Sequence, residues 1–144
     1  MTQVDFYILE DVEIDAAHRF ACRLIGKAIS SGAEVVVLAT DRNAAATLDE
    51  LLWNYPDQRF LPHGLINTPE AVGAPVTITW DDPQRYDGVL INLSNDVPGY
   101  FARFDRLVEI VVDANREEGR RRYKHYRHLG YPLFNHKMDD WEAA

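Results

Sequence analysis

The chain has 144 residues, 47% apolar and 11% aromatic, with a formal net charge of −8. That is enough apolar chain for one core, so residues 1–144 are expected to form a single domain, and the acidic balance excludes a general nucleic-acid coat protein, which needs a positive footprint over most of a face. A lone cysteine, Cys22, excludes a disulfide framework and a cysteine-rich zinc site and fits a reducing cytoplasm.

The N-terminus opens directly on the strand-like run Val4–Leu9, without a basic segment followed by an apolar one, so no signal peptide is expected and a cytoplasmic location is. No apolar stretch approaches the ~18–20 residues that span a bilayer. Residues 15–31 place Ala17, Phe20, Ala21, Leu24, Ala28 and Ile29 at helical spacing, with Asp15 as N-cap and Gly32 at the exit. Glu34–Thr40 is an unbroken β-branched run of the kind covered by helices on both faces. A second helix over about 43–53 turns Ala45, Leu48, Leu51 and Leu52 inward.

Tyr55–Ala74 holds Pro56, Pro62, Gly64, Pro69 and Gly73 and reads as turns and irregular chain. Val76–Trp80 alternates as a strand and stops at Asp81-Asp82-Pro83. Gly88–Leu93 is a buried strand, 98–106 a short helix with Phe101 and Phe104 inward, and Leu107–Val112 a further strand. A helix over 114–129 follows, ended by Gly130 and Tyr131-Pro132. Strands alternating with helices predict a three-layer, Rossmann-like α/β domain: a mostly parallel sheet flanked by helices.

Enzyme signatures fail one by one. Gly26-Lys27 lacks the upstream glycine of a phosphate loop and sits mid-helix, so there is no P-loop. The first strand leads into Glu10-Asp11, whose charges would repel a pyrophosphate, and no G-x-S-x-G elbow exists. His125 and His128 have metal-like spacing, with His136 beyond, but Arg121, Arg122, Lys124 and Arg127 around them oppose a divalent cation. His18 is expected on the outer face of the first helix and His63 in a structural turn. Asp81 and Asp82, sequential on a turn, point apart. No catalytic residue, cofactor or metal is expected.

The positive signal is the last helix. Residues 116–127 carry six Lys/Arg against two Glu, a net of +4 on an acidic chain. Arg116, Arg120 and Lys124 recur at i, i+4, i+8 as a ladder of cations, with Tyr123 beside Lys124 and Arg127 extending the flank. Such a face offers guanidinium forks to carboxylates or phosphates, next to an aromatic ring. A solvated helix end is the competing explanation, since cations suit a C-terminal dipole. A helix of that kind would interleave glutamates, because like charges at i, i+4 repel by a few tenths of a kcal/mol per pair.

The string Arg120-x-Arg-Tyr-Lys-x-Tyr-Arg127, followed by Gly130, resembles the C-terminal motif of the chi subunit of bacterial DNA polymerase III holoenzyme. Further blocks resemble that family in order: Asp5–Leu9, Leu48–Trp53, Phe60–Leu65, Gly73–Ile78 with Trp80, and Leu90–Leu93 leading to Phe101 and Glu109. The resemblance covers nearly the whole chain and implies a non-catalytic clamp-loader accessory. It implies binding to the C-terminal tail of single-stranded DNA-binding protein, an acidic segment ending in Asp-Phe-Pro-Phe with a free carboxylate. Arg120 and Lys124 would then hold that carboxylate and the tail's aspartates, helped by Arg116 and Arg127, while Tyr123 and Val111 would wall a pocket for the terminal Phe. Arg121 stands where the family can carry an acid.

The same resemblance implies a second surface, where Trp53 and Phe60 match aromatic positions that contact psi, the clamp-loader partner, or a helicase-like protein. Read from the residues alone, Trp53 could equally be a core residue of its helix. The alternative function is direct single-stranded nucleic-acid binding through the basic helix, with Tyr123 and Tyr126 as stacking platforms. The net charge of −8 opposes it, and no direct nucleic-acid partner and no membrane are expected.

Overall fold

Among the described residues, seven strands hydrogen-bond side by side in one sheet of order β3-β4-β2-β5-β6-β1-β7, and every pairing is parallel. The computed structural model describes residues 1–10, 13–54, 62–139 and 141. In chain order the elements are β1 (Gln3–Leu9), α1 (Ile14–Ser30), β2 (Val35–Leu38), α2 (Arg42–Asn54) and β3 (His63–Leu65). They continue as β4 (Val76–Thr79), β5 (Val89–Asn92), β6 (Arg106–Val111), α3 (Arg116–His128) and β7 (Leu133–Met138). Single 3-10 turns lie at Pro69–Ala71, Phe101–Arg103 and Asp113–Asn115.

The period-2 alternation of the strands sorts their side chains between two apolar cores. On one face Tyr7, Leu9, Val35, Val37, Ile78, Ile91 and Ile110 pack under α1 and α2, against Phe20, Ile25, Leu48 and Leu52. On the other face Val4, Phe6, Val36, Leu90, Leu107 and Val111 pack under α3 and the 3-10 segment, against Tyr126, Phe101 and Phe104. Central strands covered on both faces explain the unbroken apolar runs at Val35–Leu38 and over residues 89–91. The predicted three-layer parallel architecture is the one observed. Among the described residues, no helix is long and apolar enough to cross a membrane.

Three local expectations are corrected, and one strand lies where none was assigned. The short helix over 98–106 is only the turn Phe101–Arg103, because Pro98-Gly99 leaves too few residues before β6 starts at Arg106; Phe101 and Phe104 are nevertheless buried. The irregular stretch contains β3, whose His63-Gly-Leu65 pairs with Val76–Ile78. Glu13, not Asp15, caps α1, and without a side-chain hydrogen bond; Asp15 lies in the first turn. A whole strand, β7, follows Pro132 and pairs with β1 from Val4↔Leu133 to Leu9↔Met138.

The α3 face carries one buried carboxylate. Glu109 on β6 is fully buried and accepts hydrogen bonds from Arg122 Nε at 3.0 Å, Tyr126 Oη at 2.6 Å and Asn92 Nδ2 at 2.9 Å. Arg122 also donates Nη1 to the Asn95 carbonyl at 2.9 Å. Burial pushes the Glu109 carboxyl above its ordinary value, against the opposing pull of Arg122, Tyr126 and Asn92. Burial, then the Glu109 charge, raises the Tyr126 phenol far above its ordinary value, so it stays a donor. Nearer the start of α3, Gly119 lets the helix approach β6: a Cβ there would lie 2.9 Å from Val111 Cγ2.

Two residues of the basic block should therefore behave oppositely in urea unfolding. Arg122→Ala strands the Glu109 carboxyl and is expected to cost about 3–5 kcal/mol, whereas exposed Arg120→Ala should change stability by less than about 0.5 kcal/mol. For Gly119→Ala, the helix-propensity gain of about 1 kcal/mol meets an overpacking cost of about 1–3 kcal/mol. Its unfolding midpoint should fall.

Candidate functional site

The rotation of α3 decides which of its cations reach solvent. Gly119, Arg122 and Tyr126 face the sheet. At about 100° per residue, the positions met on turning outward through Tyr123 are Arg116, Arg127, Arg120 and Lys124, and all four are exposed. The predicted ladder thus lies on one flank. Arg116 is the exception in charge, being ion-paired with Asp113 at the helix start. Exposed pairs of this kind are worth about 0–1 kcal/mol, so the pairing is easily exchanged for another carboxylate. Arg122, read in the sequence as one more surface cation, points inward to Glu109.

Tyr123 marks the side of the sheet over which that flank hangs. Its ring meets Phe6 of β1 edge-on at 5.1 Å, and its hydroxyl accepts a hydrogen bond from Asn135 Nδ2 of β7 at 3.4 Å. Register aligns Val111 with Ile8, and Ile8 with Lys137, across the C-terminal ends of β6, β1 and β7. Val111 is buried beneath Gly119, while Ile8 and Tyr123 are half-buried beside it. The structure therefore brings together Arg116, Arg120, Tyr123, Lys124, Arg127 and Val111 around one strip: an apolar floor rimmed by cations.

Helix α3 ends in the turn that makes this strip an edge. Gly130 takes φ +85°, its N–H bonds the Arg127 carbonyl, and the Tyr131 N–H reaches back to Tyr126. This is the reversal glycine permits at a helix exit, and it sends the chain directly into β7. The sequence reading missed Ile8, Asn135 and Lys137 as neighbours of the basic helix. The β1–β6 pairing sets Ile8 beside Val111, and the β7 pairing, which Tyr131-Pro132 concealed, brings in Asn135 and Lys137.

Trp53, at the end of α2, is not a core residue: 48% of it is exposed, with its ring 4.6 Å from that of His63 on β3. His63 itself is buried, its Nε2 at 3.2 Å from both the carbonyl and a side-chain oxygen of Asp49. Val72, 83% exposed, lines a shallow groove of about 320 Å3 with Trp53, Pro62, His63 and Glu70. Phe60, the other residue expected at this surface, lies outside the described residues.

The remaining candidates sort as follows. Tyr126 is fully buried and is unavailable as a stacking platform. His125 and His128 are exposed on α3, while His136 stacks on Tyr7 and contacts Asp5 at 2.9 Å on the opposite sheet face, so the three do not converge. His18 is half-buried between α1 and α2 rather than on an outer face, and burial lowers its pKa. Cys22 is a core residue whose thiol burial pushes up to about 12. A cleft of about 720 Å3 opens at the N-terminal ends of β1, β2, β5 and β6, but it mixes Glu34, Asp87 and Asp105 with Lys27 and Arg106 and gives a ligand no single sign of charge.

A family model described as the DNA polymerase III chi subunit, HolC, matches residues 1–134. The DNA polymerase III subunit chi of Pseudomonas aeruginosa is 36% identical over 141 residues, covering 96% of this chain and 98% of that protein. The Escherichia coli K12 subunit chi is 32% identical over 143 residues, covering 92% and 96% respectively. The Haemophilus influenzae subunit chi is 31% identical over 133 residues, covering 89% and 92%. With a family model matching residues 1–134 and these relatives aligned over nearly its full length, the chain belongs to the DNA polymerase III chi subunit family, the accessory subunits of the replicative holoenzyme.

Proposed function

We propose that the chain is a non-catalytic adaptor of the replisome that grips the acidic C-terminal tail of single-stranded DNA-binding protein. The observation that carries this reading is the shared flank of α3: Arg120, Lys124 and Arg127, with Arg116, stand above the apolar strip of Tyr123, Ile8 and Val111. A peptide with a terminal aromatic residue, a free carboxylate and upstream aspartates has the complementary chemistry. The aromatic ring enters the strip, Arg120 and Lys124 take the carboxylate, and Arg127 meets an upstream acid. Charge-assisted contacts of this kind are roughly twice as strong as neutral ones.

Direct binding of single-stranded nucleic acid loses support, because Tyr126 is buried and leaves Tyr123 as the one ring of the two near the surface. A second partner, psi or a helicase-like protein, fits the Trp53 surface. A half-exposed tryptophan beside exposed Val72 is the kind of aromatic anchor that interfaces use.

Titration calorimetry with a peptide of the tail's last residues tests the reading. Arg120→Glu or Lys124→Glu should each weaken binding at least about 30-fold, as expected when an attractive contact of about 2 kcal/mol is lost or reversed. Removing the terminal Phe should do the same. Affinity unchanged by either alteration rules the reading out. Binding should fall with salt, but less steeply than for a ligand neutralising many phosphates.

A further inference from the structure

The strand beside the basic helix is an open edge. Among the described residues β7 pairs with β1 alone, and it ends the sheet. Its bonding phase follows from one contact: Val4 N–H donates to the Pro132 carbonyl at 3.0 Å. In a parallel ladder this turns the backbone groups of Phe134, His136 and Met138 toward β1, and those of Leu133, Asn135 and Lys137 outward. Three N–H and three C=O groups therefore face away from the sheet, over about 13 Å at the rise of a parallel strand. The side chains of Leu133 and Asn135 lie on the α3 side, toward Tyr123 and its cationic flank.

From Arg120 to Arg127 the cations of that flank extend about 10 Å at the helical rise, nearly the reach of the open edge. Helix α3 runs down from the Val111 end of the sheet and β7 runs back up. Arg120 therefore lies near the Lys137 end, and Arg127 near the Leu133 end.

We propose that β7 receives the acidic segment preceding the tail's terminal residues as an eighth, parallel strand. The inference rests on the tail reading above and adds to it how the upstream residues are held. With its terminal carboxylate at Arg120 and its terminal side chain over Ile8 and Val111, a peptide's upstream residues run down the edge past Lys124 and Arg127. Its chain direction then matches that of β7. The backbone supplies hydrogen bonds and the cations select acidic side chains, which is how strand addition divides affinity from specificity.

Charge decides the occupant. A second copy paired edge to edge would bring two sets of Lys137, Lys124, Arg120 and Arg127 together, whereas an acidic strand meets them with opposite sign. A lysine on an edge strand wards off apolar and basic strands; against an acidic one it attracts.

Calorimetry with two peptides, the tail's last four and last ten residues, separates this inference from the reading beneath it. The longer peptide should bind about tenfold tighter, from a few net hydrogen bonds and charge contacts. Asn135→Pro deletes one outward N–H at an edge position that tolerates proline. It should remove most of that length advantage while leaving the four-residue affinity equal to that of Asn135→Ala, which loses the same Tyr123 contact. Asn135→Ala, which keeps the N–H and loses only the Tyr123 contact, should keep the advantage. In addition, single N-methyl groups along the longer peptide, titrated into the unaltered protein, should weaken binding at alternate positions only.

A length advantage that survives Asn135→Pro, or N-methyl effects without a period of two, overturns strand addition and leaves the tail reading intact. A concentration-dependent dimer that Asn135→Pro dissolves assigns the edge to a second copy and also overturns it. Failure of both peptides to bind removes the tail reading and this inference together.

Discussion

One buried carboxylate, that of Glu109, decides which side chains of α3 reach solvent. Glu109 stands on the sheet face beneath α3, and Arg122, Tyr126 and Asn92 all donate to it. Two of the three donors are on α3, four residues apart, so together they fix both the depth and the rotation of the helix. Rotating α3 by one position would withdraw Arg122 and Tyr126 from Glu109 and leave the buried carboxyl with Asn92 as its remaining donor. That cost, about 3–5 kcal/mol for a broken buried pair, is far larger than any gain from rearranging exposed cations. A buried ion pair adds little net stability over an apolar replacement; here its consequence is geometric, because one rotation is selected.

With that rotation chosen, the basic block divides into cations of different kinds. Arg122 is spent internally, Arg116 is held loosely by Asp113, and Arg120, Lys124 and Arg127 stand on the flank beside Tyr123. Keeping exposed cations at i, i+4 costs a few tenths of a kcal/mol per pair in the isolated helix. An opposite charge brought to the flank relieves that repulsion and forms new contacts at once. Residues 116–127 carry six of the fifteen Lys/Arg of a chain of net −8, so the flank is a local concentration of positive charge on an acidic protein.

How much of this could be read from residues follows their burial. The strands at Val35–Leu38, Val89–Asn92 and Arg106–Val111 are covered on both faces, so their apolar runs announced them and the layered fold with them. Strand β7 was silent: Leu133-Phe-Asn-His-Lys-Met138 lies at an edge, mostly exposed, and carries neither an apolar run nor a clean alternation. Strand β3 has three residues inside a Pro/Gly-rich stretch, too few for a periodicity to show. The ladder spacing was legible because α3 is regular, but its contents were not. Which arginine turns inward depends on Glu109 across the sheet, a partner 13 residues away that helical spacing alone cannot reveal. Trp53 was ambiguous for the same reason: helix periodicity places it beside Leu52, and only the position of β3 leaves it half-exposed.

The strand order also bears on how an adaptor can hold two partners. Trp53 packs its ring at a tilt against His63 of β3, at one end of the sheet, and the cationic flank overhangs β1 and β7 at the other. Six inter-strand steps separate β3 from β7, about 29 Å at the usual spacing. Partners on the two surfaces would therefore not compete for the same residues, and each could bind without dislodging the other sterically. Direct electrostatic coupling between them would be slight, since that separation exceeds the Debye length of about 8 Å at physiological salt. What joins the two surfaces is the sheet itself, whose seven parallel strands and two apolar cores hold them at a fixed separation. If the proposed reading holds, a doubly covered parallel sheet would serve as a rigid spacer between an acidic tail and a second protein.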